Sequence, residues 1–113
     1  MKLVRDKIPQ LIFKDGRTCN YHYANKVNKI NWSLSEYGHR LIDKIHEEVD
    51  ELAEEPSLVE AADVYEAYIA LLGHLGFSLS DVKKAAKQKS KQMGKFTKGI
   101  VLEDIQNKGE KSE

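Results

Sequence analysis

A chain of 113 residues, with one cysteine and with Lys/Arg and Asp/Glu balanced at 18 each, is of a length that forms one domain around one core. The lone Cys19 excludes an intrachain disulfide, and a reducing, cytoplasmic setting is the natural expectation. The longest apolar run, residues 67–72, falls far short of the roughly 20 residues a membrane span needs, and no signal peptide is evident.

Charge is sorted along the chain. Residues 1–31 carry seven basic residues (Lys2, Arg5, Lys7, Lys14, Arg17, Lys26, Lys29) against two acids. Residues 43–66 carry ten acids and one Lys/Arg, Lys44, and residues 83–98 carry seven lysines and no acid. Such sorting suits a site in which an acidic centre holds cations and basic flanks meet phosphates, although three solvated faces give the same pattern.

In chain order, residues 1–31 read as mostly irregular. A short helix is expected near Ile8-Pro9, because proline suits a first helical turn, and Asp15-Gly16 marks a turn. Residues 21–24 suggest a short extended piece, and Asn20, Asn25, Asn28 and Asn31 oppose a long helix. The first long helix is predicted over 34–54, opened by Ser33 and Glu36 as a capping box. Its stripe is Tyr37, Leu41, Ile45, Val49 and Leu52, and Pro56 stops it. Ser57 and Glu60 form a second capping box, opening a helix to about residue 75. That helix is apolar nearly all round, so it is expected to be central or to lie in an oligomer interface. Gly73 and Gly76 mark its end. Ser80-Asp81 is expected to cap a lysine-bearing helix to residue 92, closed by Gly94. Residues 100–102 read as a strand or an extended arm. The expected fold is all-α, an antiparallel helical bundle over residues 1–102 with an irregular N-terminal segment and a C-terminal arm, followed by a polar tail at 103–113.

Four acids in the two long helices are expected on or beside the apolar faces, Glu48 and Asp63 centrally and Glu51 and Glu60 flanking them. At about 100° per residue, with Glu48 as origin, Tyr37 and Leu41 fall near −20° and +20°, Leu52 near +40° and Ile45 near +60°. Glu48 thus sits in the middle of the apolar stripe, with Glu51 about −60° away on the same side. Around Asp63, Ala70 lies near −20°, Ala67 near +40° and Glu60 near +60°. A short connection packs the two helices antiparallel, which can bring Glu48 and Glu51 opposite Glu60 and Asp63. Buried like charges must be protonated, paired or held by a cation, and hard carboxylate oxygens select Mg²⁺, Mn²⁺ or Ca²⁺. The competing expectation is that these acids pair with Lys or Arg, or lie on a wet surface. His22, His39, His46 and His74 lack a zinc-ligand spacing, and each is expected on the surface or in packing.

Glu48-Val49-Asp50-Glu51 followed by Glu60-Ala61-Ala62-Asp63 reads E-x-x-E…E-x-x-D. This resembles the all-α nucleotide pyrophosphohydrolases, the MazG-like and phosphoribosyl-ATP pyrophosphohydrolase group. The opening residues 2–9, KLVRDKIP, and the closing Gly94-Lys95-Phe96 and Gly99-Ile100-Val101-Leu102 are similar to one subgroup of that family. The resemblance spans residues 2–102. The closing segment of the family often reads arginine-glycine-glycine-phenylalanine, where this chain has Gln92-Met93-Gly94-Lys95-Phe96.

The resemblance implies a Mg²⁺-dependent enzyme, with Mn²⁺ as a substitute. It would cleave the α–β phosphoanhydride of a nucleoside triphosphate or related nucleotide to a monophosphate and pyrophosphate, working as a homodimer or homotetramer. It places Glu48, Glu51, Glu60 and Asp63 as metal ligands, with Glu47 and Glu48 in the catalytic role and Glu47 as an assisting acid or base. Lys84, Lys87, Lys91 and Lys95, with Arg5 and Lys7, are candidates for the phosphates. Tyr65, Tyr68 and Trp32 are weaker candidates for stacking on a base. Two other classes remain open. One is a nucleic-acid-binding helical protein, which zero net charge and the absence of arginine from the lysine helix disfavour. The other is a non-catalytic regulatory protein on the same fold.

Overall fold

The structure, a computed structural model, describes residues 1–27 and 34–106. Four helices form, α1 (Ile8–Lys14), α2 (Glu36–Glu54), α3 (Leu58–Leu75) and α4 (Leu79–Met93), with no strand among the described residues. The all-α expectation therefore holds. None of these helices is long and apolar enough to cross a membrane. The chain divides into two compact units, Met1–Leu79 and Ser80–Glu113.

In the first unit, α1 starts where expected. Pro9 lies in its first turn, where a missing N–H breaks no helical bond. The helix ends at Asp15-Gly16, and Gly16 takes a left-handed φ of 84°. Residues 18–27 have no regular structure, so 21–24 form no strand. They are tied instead to the start of α2. The Tyr37 N–H donates to the Asn25 carbonyl at 2.9 Å, and the Asn25 N–H donates to Glu36 Oε1 at 3.0 Å.

The start of α2 differs from the predicted one. The cap is Ser35, in extended conformation, with its hydroxyl accepting from the Gly38 N–H at 3.0 Å. An extended Ser35 moves the first helical residue from 34 to Glu36. The Glu36 carboxylate then binds His22 and Asn25 instead of closing a capping box. Ser33, the expected cap, lies outside the described residues, as does Trp32. The start of α3 is as predicted, with Ser57 accepting from the Glu60 N–H at 3.2 Å. Gly76 closes that helix at φ 82°, and Gly73 sits inside its last turn.

Helices α2 and α3 pack antiparallel, with Ser35 against His74 at one end of the pair and Glu48 against Glu60 and Asp63 at the other. Leu41, Ala67, Leu71 and Leu72 are buried between these ends, each leucine contributing about 2 kcal/mol of hydrophobic stabilisation. Gly38 permits the close approach at the His74 end. A Cβ there would lie 3.1 Å from Leu34 Cβ and 3.4 Å from the His74 ring.

One expectation about packing is corrected and one is narrowed. Val49 is 46% exposed, because the buried stripe of α2 is centred on Leu41 and Glu48, and Val49 is rotated about 100° from Glu48. Of the two places expected for α3, a central one does not fit its exposure. One face meets α2, while Leu58, Val59, Tyr65, Tyr68 and Leu75 are exposed.

The second unit consists of α4 and the segment after it. The helix starts at Leu79, so Ser80 and Asp81 lie in its first turn and not ahead of it. Gly94 follows the helix with φ 85°. No residue of α4 is buried. Residues 100–102 form an exposed, irregular arm and no strand. Of the polar tail, residues 107–113 lie outside the described residues.

Candidate metal centre

The second and third turns from the C-terminus of α2 and the first two turns of α3 carry the acids. The short link through Pro56 turns the chain back, so the end of one helix faces the start of the next. This brings one carboxylate oxygen from each of Glu48, Glu60 and Asp63 within 4.8 Å of one another. Glu48 is buried, at 7% exposure, as its place in the apolar stripe requires. Glu60 and Asp63 are half-buried, and Glu51 is exposed. Glu51 is not one of the three converging residues, but its charge acts on Glu48.

The cluster is only partly neutralised by protein groups. Lys44, one turn before Glu48, reaches Glu48 Oε1 at 3.3 Å and Glu47 Oε2 at 3.0 Å. Arg5 Nη2 donates to Asp63 Oδ1 at 2.6 Å. Lys2 Nζ lies 3.3 Å from Glu47 Oε1. Thus the acids do meet bases, as the competing expectation has it. The pairing is nonetheless incomplete, since Glu48 Oε2 and Glu60 Oε2 are buried and have no hydrogen-bond partner among the described residues. A buried, unpartnered carboxylate oxygen is rare and costly. At the start of α3 the Glu60 backbone N–H uses the Ser57 hydroxyl, while its side-chain Oε2 has no partner among the described residues.

The electrostatics follow from these contacts. Burial pushes the Glu48 carboxyl above its usual range, Lys44 opposes the shift, and the charges of Glu51 and Asp63 add to it. Glu47 is shifted the other way, chiefly by its hydrogen bond with Lys44 and, against some burial, by Lys2. Partial burial tends to lower the Lys44 ammonium, but its bonds to Glu47 and Glu48 prevail and raise it. Glu47 is therefore held firmly as a carboxylate beside a Glu48 that resists ionisation.

Three hard oxygen donors, two with orphaned buried oxygens, fit a divalent cation of the Mg²⁺, Mn²⁺ or Ca²⁺ type. They do not suit a soft metal, because no Cys or His belongs to the group.

The basic candidates are distributed as follows. Arg5 is at the cluster, and Lys7 is exposed at the start of α1. Lys84, Lys87, Lys91 and Lys95 are exposed on the second unit.

Two features escaped the sequence reading. Lys44 emerges as the main counter-charge of the centre; its spacing of four from Glu48 was the available signal. The other is the Ser35–His74 contact, 2.9 Å between Oγ and Nε2, with the Tyr37 ring edge-on to His74 at 5.1 Å. Although a serine beside a histidine suggests a nucleophile and its base, Ser35 is 1% exposed and its oxygen is engaged with the Gly38 N–H. This pair joins the two helices. Cys19 is half-buried and belongs to no metal-ligating group among the described residues.

Compared with family models, with curated proteins and with solved structures, the chain gives no significant match.

Proposed function

We propose that this protein is a Mg²⁺-dependent nucleotide pyrophosphohydrolase. On this reading it cleaves a nucleoside triphosphate or related nucleotide between the α- and β-phosphates and releases a monophosphate and pyrophosphate. The observation that carries the reading is the convergence of Glu48, Glu60 and Asp63 with two buried, unpartnered carboxylate oxygens. The E-x-x-E…E-x-x-D pattern supplies the reaction class.

Glu48, Glu60 and Asp63 would hold the cation, with Glu51 completing the set from the exposed side. A divalent ion there supplies charge neutralisation for the phosphates and acidifies a bound water. Glu47, kept ionised by Lys44 and Lys2, would accept a proton from an attacking water. Within the first unit, Arg5 and Lys7 are the cations proposed for the polyphosphate, and Lys84, Lys87, Lys91 and Lys95 of the second unit remain candidates from the sequence alone. The exposed apolar side of α3, with Leu58, Tyr65 and Tyr68, supports a homo-oligomer, since large apolar residues clustered on a helix face mark interaction surfaces.

The test is pyrophosphate release from a panel of standard, modified and phosphoribosyl nucleotides, with and without Mg²⁺. Turnover that requires Mg²⁺ on at least one of them is expected; none on any would sink the reading.

A second reading has one observation in its favour, the exposure of all five lysines of α4. It makes the protein a binder of nucleic acid through phosphate contacts. Tight, sequence-selective retention of nucleic acid on filters at physiological salt would favour it over the enzyme.

A further inference from the structure

We propose that Arg5 competes with the divalent cation for Asp63, and that cation binding hands its guanidinium over to the phosphates of the substrate. This deepens the proposed function and rests on it.

The inference starts from a shared carboxylate. Asp63 contributes an oxygen to the group formed with Glu48 and Glu60, and it also accepts a 2.6 Å charge-assisted bond from Arg5 Nη2. The group is more than a collection of acids. The Glu48 side chain is nine-tenths buried, and its Oε2 has no partner among the described residues. A cation drawn to those oxygens places a double positive charge next to a guanidinium. Arginine cannot relieve the repulsion by losing its proton, so the ion pair must loosen.

The chain allows that exchange without unfolding. The Arg5 side chain is 58% exposed, so water can take over its hydrogen bonds. Its backbone is fixed independently, because the Arg5 carbonyl accepts from the Ile8 N–H at 3.0 Å as α1 begins. On its N-terminal side, Lys2 is held by Glu47 and the Met1 carbonyl by Arg40. A guanidinium released from Asp63 therefore stays tethered beside the carboxylates. Its planar fork matches a phosphate as well as it matches a carboxylate. The same residue thus lowers cation affinity when no phosphate is present and adds phosphate affinity once the cation is bound.

The test is calorimetric titration of the full chain with Mn²⁺ alone, and then with tripolyphosphate at saturating Mn²⁺, for the wild type, Arg5→Gln and Arg5→Lys. Arg5→Gln is expected to bind Mn²⁺ about three- to fivefold more tightly, the scale of an exposed ion pair, and tripolyphosphate roughly tenfold more weakly. Arg5→Lys keeps a charge but no fork, and should fall between the two on both readouts. Shifts of opposite sign separate competition from general damage, which would weaken both. Unchanged or weaker Mn²⁺ binding in Arg5→Gln, or unchanged tripolyphosphate binding, overturns the inference while leaving the cation site standing. If neither Arg5→Gln nor the wild type binds Mn²⁺, the carboxylates are not a cation site and the proposed function falls as well. Should Arg5→Gln lose its helical circular dichroism, Arg5→Lys decides by the same signs.

Discussion

The α2–α3 pair buries polar groups at both of its ends, and the two ends are treated in opposite ways. At one end, Ser35 is almost wholly enclosed, yet its hydroxyl is matched to the Gly38 N–H and to His74. At the other, Glu48 is enclosed to nearly the same degree and retains an oxygen with no partner, next to a second one on Glu60. Burying a polar group is tolerable when its hydrogen bonds are made and costly when they are not. A satisfied group needs nothing beyond the fold to explain it. The unsatisfied carboxylates are where the proposed cation would bind. Ser35–His74 is therefore read as the structural end of the hairpin and Glu48–Glu60–Asp63 as the functional end.

The sharpest way to break this contrast is to neutralise the acids one at a time. Glu48→Gln and Asp63→Asn are each expected to lower Mg²⁺-dependent pyrophosphate release by at least roughly 100-fold, the upper end of what outer partners of a metal site are worth. Far-ultraviolet circular dichroism should remain that of the wild type. Normal turnover in either variant would remove that residue from the site. Leu41 lies between the two ends and serves both. Leu41→Ala should destabilise the protein by about 2–5 kcal/mol through the cavity it leaves, read as a lower urea midpoint. In a chain with so few buried apolar residues, a loss of that size reduces the folded population measurably.

The structural end should respond in the complementary way. Ser35→Ala removes a helix cap and leaves the Gly38 N–H unpaired, a loss of about 1–2 kcal/mol. Its urea midpoint should fall, while the pyrophosphatase rate measured well below that midpoint stays near the wild-type value. A large fall in rate with unchanged stability would make Ser35 part of the chemistry and erase the distinction between the ends.

How much of this was legible in the sequence differs between the ends for a physical reason. Glu48 was placed inward by helical period alone, because seven residues make nearly two whole turns and carry Leu41 almost directly onto it. The same arithmetic put Val49 in the stripe only by accepting a broader face than one neighbouring helix can cover. The Ser57 start was readable because the cap and the N–H it serves are three residues apart. Ser35 was missed because Ser33 offered an equally good local pattern. The choice between them depends on residues 22–25 reaching Glu36, a contact that local pattern does not encode. Arg5 on Asp63 and Lys2 on Glu47 are likewise long-range. The sorted charges said that basic and acidic segments would attract, but not which residue would meet which.

The smallest expected effect tests the unpaired oxygen most directly, through pH. The folded protein holds the Glu48 carboxyl above its ordinary range, mainly by burial. Such a group contributes stability that is fully present below the pKa of the unfolded chain and is lost as pH rises through the folded value. Without divalent metal at neutral pH, ionised Glu48 therefore works against the fold, and Glu48→Gln should be slightly more stable than the wild type. As pH falls into and below the ordinary carboxylate range, that advantage should shrink and vanish. Glu47 acts with the opposite sign. Its carboxyl is lowered chiefly by Lys44, so its contribution is present above the unfolded pKa and is lost as pH falls through the folded one. Because Glu47 is common to both proteins, it cancels to first order in the difference between their urea midpoints. Adding Mg²⁺ at neutral pH should then invert the order, since a ligand that binds only the folded wild type stabilises it by mass action. A Glu48→Gln variant that is less stable than the wild type at neutral pH without metal would mean that Lys44 already satisfies this carboxylate. The two ends of the hairpin would then be alike.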